Sequence, residues 1–194
     1  MSLGEDLRTT EESTEMASTI DLDLNPDKEY EIVAGQPEEK TMGGGRHSGI
    51  GARLIARLVI HVEAKQLGGI YGPDATFQIR ENQRIPDVAF VAATRFPVDG
   101  EPEGIWPMAP DLAVEIISPN DLYERVISKV EEYLAAGVRQ VWLISPEHKT
   151  VTIYSSPTHT TILTEADDLV SDELLPGFRC RIADLFRSPS GMSV

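Results

Sequence analysis

Leu112-Ala113-Val114-Glu115-Ile116-Ile117, preceded by Pro110-Asp111 and followed by Ser118-Pro119, is an apolar run interrupted by a single carboxylate. Apolar at alternate positions of both parities and bounded by proline at each end, the run reads as a central strand, Leu112 to Ser118. An ionised carboxylate inside such a strand is costly unless it is paired or bound to a cation. Asp111 is not its partner, because four residues of strand at about 3.3 Å each put the two acids roughly 13 Å apart. Asp87 opens a second extended segment, Asp87 to Ala92, with the apolar run Val88-Ala89-Phe90-Val91. Neighbouring strands lie about 4.8 Å apart, so Asp87 and Glu115 can converge on one small ion, and two hard oxygen donors suit Mg²⁺ or Mn²⁺. The other reading of Glu115 is a carboxylate paired with an arginine or facing solvent at a sheet edge. Pro-Asp also occurs at residues 26–27, 73–74 and 110–111, where it marks turns.

Downstream, Asp121 and Glu124 stand three apart at the start of an amphipathic stretch running to Ala136, which suits a capping box, and Gly137 is placed to end the helix. Leu122, Val126, Lys129 and Tyr133 share one face of that helix, so Lys129 occupies a position where an apolar residue is expected. It either meets carboxylates of the sheet or lies at the edge and reaches water along its stem. Upstream, Tyr30-Glu31-Ile32-Val33 reads as a first strand, with a second near Glu39 to Met42. Gly43-Gly44-Gly45 then precedes the clearest helix, with Ile50, Leu54, Leu58 and Val62 at helical spacing, joined by Ile55 and Val59, and a stop at Gly68-Gly69. Thr76 to Ile79 is extended. Gln140 to Ile144 and Thr150 to Tyr154 form a hairpin, Thr160 to Thr164 adds an edge, and Ile182 to Phe186 is a short helix. Strands, helix, strands, helix, strands place the chain in the α/β (α+β) class.

The length, 194 residues, suits one domain. The 17 Lys and Arg against 32 Asp and Glu give a net charge of −15, which argues against a basic nucleic-acid coat protein or a polybasic membrane binder. Ten acids and two bases fall in residues 1–31. Residues 1–24, rich in Ser, Thr, Glu and Asp, are expected to form a disordered acidic lead, with the folded domain spanning 25–194. Cys180 is the only cysteine, which excludes an intrachain disulfide, and no Cys/His spacing suits structural zinc. No apolar run reaches the ~18 residues of a membrane span and no signal-peptide pattern opens the sequence, so a cytoplasmic protein is expected.

Weaker candidates surround the first helix. Arg53, Arg57, His61 and Lys65 recur every four residues, with Arg46 near the helix start. Such a basic stripe in an acidic protein either contacts phosphates or is a solvated helix face. His47 is either a site residue or a side chain at the helix start. No Gly-x-x-x-x-Gly-Lys, Gly-x-Gly-x-x-Gly or Gly-x-Ser-x-Gly motif is present, so neither a phosphate-cradling loop nor a serine hydrolase is supported.

Asp87, Glu115 and Lys129, on two strands and the helix that follows, resemble the PD-(D/E)xK phosphodiesterase superfamily, and within it the bacterial restriction endonuclease family. The similarity runs over residues 30–186 through Tyr30-Glu-Ile-Val-Ala-Gly35, His47, Ile85-Pro-Asp-Val-Ala-Phe-Val91, Pro110-Asp-Leu-Ala-Val-Glu-Ile-Ile-Ser-Pro119, Lys129-x-x-x-Tyr133-x-x-x-Gly137-Val138 and Leu175-Pro-Gly-Phe178. The resemblance implies a restriction-endonuclease-like mixed β-sheet flanked by helices, a divalent-metal site of Asp87 and Glu115, and a homodimer. It implies metal-dependent endonuclease action on DNA phosphodiesters. The chain departs from the pattern at Ile117, where the superfamily usually has its lysine, which makes Lys129 the carry-over. It departs also at Ala34, where the family often has aspartate, leaving Glu31 as the nearby substitute. Two other functions stay open: a catalytically silent dimeric DNA-binding or interaction module of the same fold, or a metal-dependent phosphodiesterase on another substrate.

Overall fold

The computed structural model describes residues 25–40 and 43–187; the acidic lead expected over residues 1–24 lies outside them. The chain runs β1 (Tyr30–Val33), β2 (Gln36–Glu39), α1 (Gly45–Ala64), β3 (Gly68–Tyr71), β4 (Phe77–Ile79), β5 (Asn82–Arg84), β6 (Val88–Ala92), β7 (Leu112–Ile116), α2 (Tyr123–Ala135), β8 (Gln140–Ser145), β9 (Thr150–Ser156), β10 (His159–Leu163), β11 (Asp168–Val170), β12 (Arg179–Arg181) and α3 (Ile182–Phe186). A six-stranded sheet in the order β10-β9-β8-β7-β6-β3 forms the centre, beside a four-stranded sheet β2-β1-β5-β4 and the ribbon β11-β12. Only β7 and β8 pair in parallel within the central sheet, and α2 makes the crossover that parallel strands require. The sheet is therefore mixed and flanked by helices, as expected.

Period-two alternation decides which helix each central residue meets. Val88 and Phe90 of β6, Leu112, Val114 and Ile116 of β7, and Trp142 and Ile144 of β8 pack with Ile50, Leu54, Leu58 and Val62 of α1 and with the C-terminal residues Leu175, Phe178 and Leu185. The alternate set, Ala89 and Val91, Ala113 and Val141, packs with Phe77, Trp106 and the α2 residues Val130 and Tyr133. Glu115 belongs by alternation to the second face, the one that α2 covers. Asp87 immediately precedes Val88, which pairs with Val114, so the two acids lie side by side on adjacent chains.

Four local expectations need correction. The second strand is Gln36–Glu39 instead of Glu39 to Met42, because Ala34 and Gly35 both take positive φ (50° and 74°) and close a two-residue hairpin with Val33 opposite Gln36. Residues 41–42 lie outside the described residues. The first helix ends at Ala64, before the expected stop at Gly68-Gly69, and the two glycines instead open β3, an edge strand with no apolar alternation to betray it. At Gly68 (φ 150°) a Cβ would stand 2.0 Å from the Val91 carbonyl oxygen, so only glycine allows this approach. The capping box is absent: α2 starts at Tyr123 after Leu122, with no side-chain cap, and the Asp121 carboxylate instead accepts the Ser118 N–H at 2.7 Å. The central strand ends at Ile116, two residues before Ser118. Gly137, at φ 91°, does follow α2 as expected.

Candidate active site

Asp87, Glu115, Lys129, Glu31 and His47 line one cavity of about 370 Å³. Lys129 rises from the apolar face of α2, so its side chain has to cross toward the sheet. Its Nζ lies 2.7 Å from Glu31 Oε1 and 3.0 Å from Glu115 Oε1. The lysine thus meets carboxylates and does not snorkel to the edge. Burial pulls the ammonium's pKa down, but Glu115 and Glu31 outweigh it and hold the group charged, above its ordinary value. Tyr133, one turn on, donates its hydroxyl to Glu115 Oε1 at 2.8 Å. Burial keeps the Glu115 carboxyl above the usual carboxylate range despite Lys129, and Asp87 and Glu31 push in the same direction.

Asp87 sits in a different field. His47 Nε2 of α1 lies 3.1 Å from Oδ2, Lys40 Nζ lies 3.2 Å from Oδ1, and the Ile116 N–H donates to Oδ2 at 2.8 Å. Burial alone would raise this carboxyl, yet the His47 hydrogen bond and the Lys40 charge bring it down to about 2. His47 is correspondingly raised, by its bond to Asp87 against the opposing pull of burial. Glu31, on β1, is held by Lys129, by the Ile85 N–H at 2.9 Å and by Arg84 Nη1 at 2.9 Å. Burial opposes the ionised form, and Lys129 leads the contacts that nevertheless depress its pKa. Arg84 also pairs with Glu132 of α2, whose other oxygen accepts from Asn82 at 2.6 Å. This buried network ties the four-stranded sheet to α2 and carries Glu31 into the cavity.

The basic residues of α1 are elsewhere. Arg53 donates to the Leu185 carbonyl at 2.8 Å, Arg57 to the Arg53 carbonyl at 2.9 Å, and Lys65 to the Pro176 carbonyl at 2.6 Å. Arg46 donates to the Pro146 carbonyl, and His61 edges onto Phe178. Arg53, Arg57 and Lys65 are turned to α3 and the C-terminal segment and Arg46 to the loop after β8, so the structure does not bring Arg46, Arg53, Arg57 or Lys65 to the cavity. Asp111, set aside on distance, accepts the Ala92 N–H at 2.8 Å and pairs with Arg95 at 3.0 Å. Lys40, Arg84 and Glu132 were not legible as site residues, since no spacing pattern in the sequence connects a base after β2, a base in β5 and an acid on α2.

A family model described as "Putative restriction endonuclease", Uma2, matches residues 11–183. The chain belongs to the Uma2 family. The crystal structure of "a putative nuclease belonging to DUF820" from Anabaena variabilis is similar, with a TM-score of 0.75 and 23% identity over 82% of this chain and 90% of that one. At that identity the likeness is one of fold, a mixed sheet flanked by helices. No curated protein matches the sequence.

Within the Uma2 fold, Asp87, just before β6, and Glu115, on the neighbouring strand β7, are hard oxygen donors of the type that suits a small divalent cation. Among the described residues no group of three or more His, Cys, Asp and Glu side chains has a metal-holding arrangement, so two protein carboxylates would be completed by water and substrate oxygens, the usual way Mg²⁺ is held. Glu115, desolvated and only partly compensated, is the carboxyl that such an ion would most favour in ionised form. The donor set fits.

Proposed function

We propose that the protein is a divalent-metal-dependent endonuclease that hydrolyses DNA phosphodiester bonds, with Asp87 and Glu115 holding Mg²⁺ or Mn²⁺ and Lys129 as the positive group beside them. The observation that carries this reading is the Lys129 ammonium lying 3.0 Å from Glu115 in a cavity that Asp87 also lines. When bound, the ion supplies Lewis-acid charge stabilisation at the phosphoryl group and acidifies a water. Lys129, kept charged by two carboxylates, donates to a phosphoryl oxygen on which charge grows as the water oxygen bonds to phosphorus and the P–O ester bond breaks. Glu31 and its Arg84 partner hold the lysine in place, while His47 and Lys40 keep Asp87 ionised and oriented. Residues 25–194 would form the nuclease domain, acting as a dimer.

The test is incubation of the full chain with Mg²⁺ or Mn²⁺ and supercoiled plasmid, single-stranded DNA or RNA, with calorimetry of Mn²⁺ binding alongside. Cleavage and metal binding are expected in the wild type, and both are expected to be lost in Asp87→Ala and Glu115→Ala, whereas Asp111→Ala keeps its metal affinity. Unchanged Mn²⁺ affinity in both site variants would overturn the assignment. A second reading is favoured by the compensation of Asp87 by Lys40 and His47: a catalytically silent module of the same fold, for which no metal binding is expected. Cleavage of RNA alone would redirect the reading to another phosphodiester.

A further inference from the structure

The cations around the cavity differ in whether they have partners. Lys40 is spent on Asp87 and the Ile85 carbonyl, Lys129 on Glu31 and Glu115, Arg84 on Glu31 and Glu132. Arg125 is different. It lines the same cavity from α2, one helical turn before Lys129, and therefore on the same face. It is exposed, and among the described residues no carboxylate lies within ion-pair distance of it and no hydrogen bond holds it. Asn120 and Leu122 line the cavity as well.

Resting on the nuclease reading of this site, we propose that Arg125 binds a non-bridging oxygen pair of the substrate backbone, at the phosphate flanking the one that is cleaved. Three arguments meet here. A guanidinium presents a planar fork that matches a phosphodiester bidentately. An unpaired fork needs no existing ion pair to be broken when the substrate arrives, in contrast to every other cation at the cavity. The helical register sets Arg125 about 6 Å along α2 from Lys129, close to the roughly 6 to 7 Å spacing of consecutive backbone phosphates, so the two bases can address neighbouring phosphates at once. The role of Arg125 is substrate positioning; the cleaved bond is left to Asp87, Glu115 and Lys129. It also supplies, on an acidic protein of net charge −15, a basic contact at the cavity itself, which the α1 stripe does not line.

The experiment compares full-length wild type, Arg125→Gln and Arg125→Lys. A labelled duplex oligonucleotide is titrated by fluorescence anisotropy over a range of salt with Ca²⁺ replacing Mg²⁺, and plasmid cleavage is measured in Mg²⁺. For Arg125→Gln we expect affinity about tenfold weaker at low salt, a salt slope smaller by about one, a raised KM with little change in kcat, and unchanged Mn²⁺ affinity and melting temperature. Recovery of the slope by Arg125→Lys would support the contact. A Gln variant with the wild-type slope and KM overturns the assignment and leaves the nuclease reading standing. A wild type that neither binds nor cleaves any nucleic acid overturns the nuclease reading, and the role of Arg125 with it.

Discussion

Lys129 is held between Glu31 and Glu115 at 2.7 and 3.0 Å, so removing its charge tests both its chemistry and its structural role. Lys129→Met keeps the apolar stem. If the ammonium acts in the transition state, metal affinity persists while single-turnover cleavage falls by about 10² to 10³-fold. If it only neutralises the two acids, the variant loses stability without metal and regains it with Mg²⁺, while cleavage persists. Asp87 gives a pH test. Its folded-state pKa of about 2 lies below its ordinary value of 3.8, so the stabilisation is fully present above about pH 4 and is lost as the pH falls from 4 toward 2. The depression corresponds to roughly 2 kcal/mol at neutral pH. Asp87→Asn takes up no proton there, so urea melts of the two proteins should converge over that window. A gap constant from pH 7 to pH 2 would show that Asp87 gains no stabilisation from His47 and Lys40.

At the scale of elements, α2 delivers Lys129 to the cavity and its helical period already shows the lysine on the buried face. The strand β3 carries no comparable signal. It exists because Gly68 can approach β6 where a side chain cannot, with the missing Cβ only 2.0 Å from the Val91 carbonyl. Gly68→Ala should therefore cost about 2 kcal/mol or more, from the clash and the positive φ together. Gly35→Ala has open space around it and should cost about 1 kcal/mol from φ alone. Chemical denaturation of both variants checks the order; equal losses would mean that β3 shifts freely from β6. The four-stranded sheet is likewise an element-level product of Arg84, whose pairs to Glu31 and Glu132 join β1, β5 and α2.

For the whole molecule, the two cores on opposite faces of the central sheet leave the candidate site at the sheet's end, where α1, α2 and the smaller sheet converge. The buried acids Glu31, Asp87 and Glu115 are each paired there, by Lys129 and Arg84, by Lys40 and His47, and by Lys129, within a strongly acidic chain. Residues 1–24 contribute seven acids and one base. Removing them should tighten DNA binding at low salt, and the gain should fade as the screening length shortens to about 8 Å at physiological ionic strength. Binding isotherms of the full and shortened chains at several salt concentrations check this; equal affinity at low salt would mean that those charges do not face the nucleic acid.

The sequence by itself determined the elements whose cause is local. The periods of α1, β6, β7 and α2 are written in consecutive residues, and a lone carboxylate in an apolar strand and a lysine on an apolar helix face announce Asp87's neighbour Glu115 and Lys129 as groups needing partners. Which partners they take is decided only in three dimensions. Lys40 and Arg84 reach the cavity, and Glu132 holds Arg84 from behind, through pairings between segments far apart in the chain, and neither period nor composition records such pairings. The direction of the α1 bases is also tertiary: a stripe of Arg53, Arg57 and Lys65 reads alike whether it faces phosphate or the carbonyls of Leu185, Arg53 and Pro176 that it meets. Helical spacing fixes which residues share a face, while packing against α3 and the C-terminal segment fixes what that face touches.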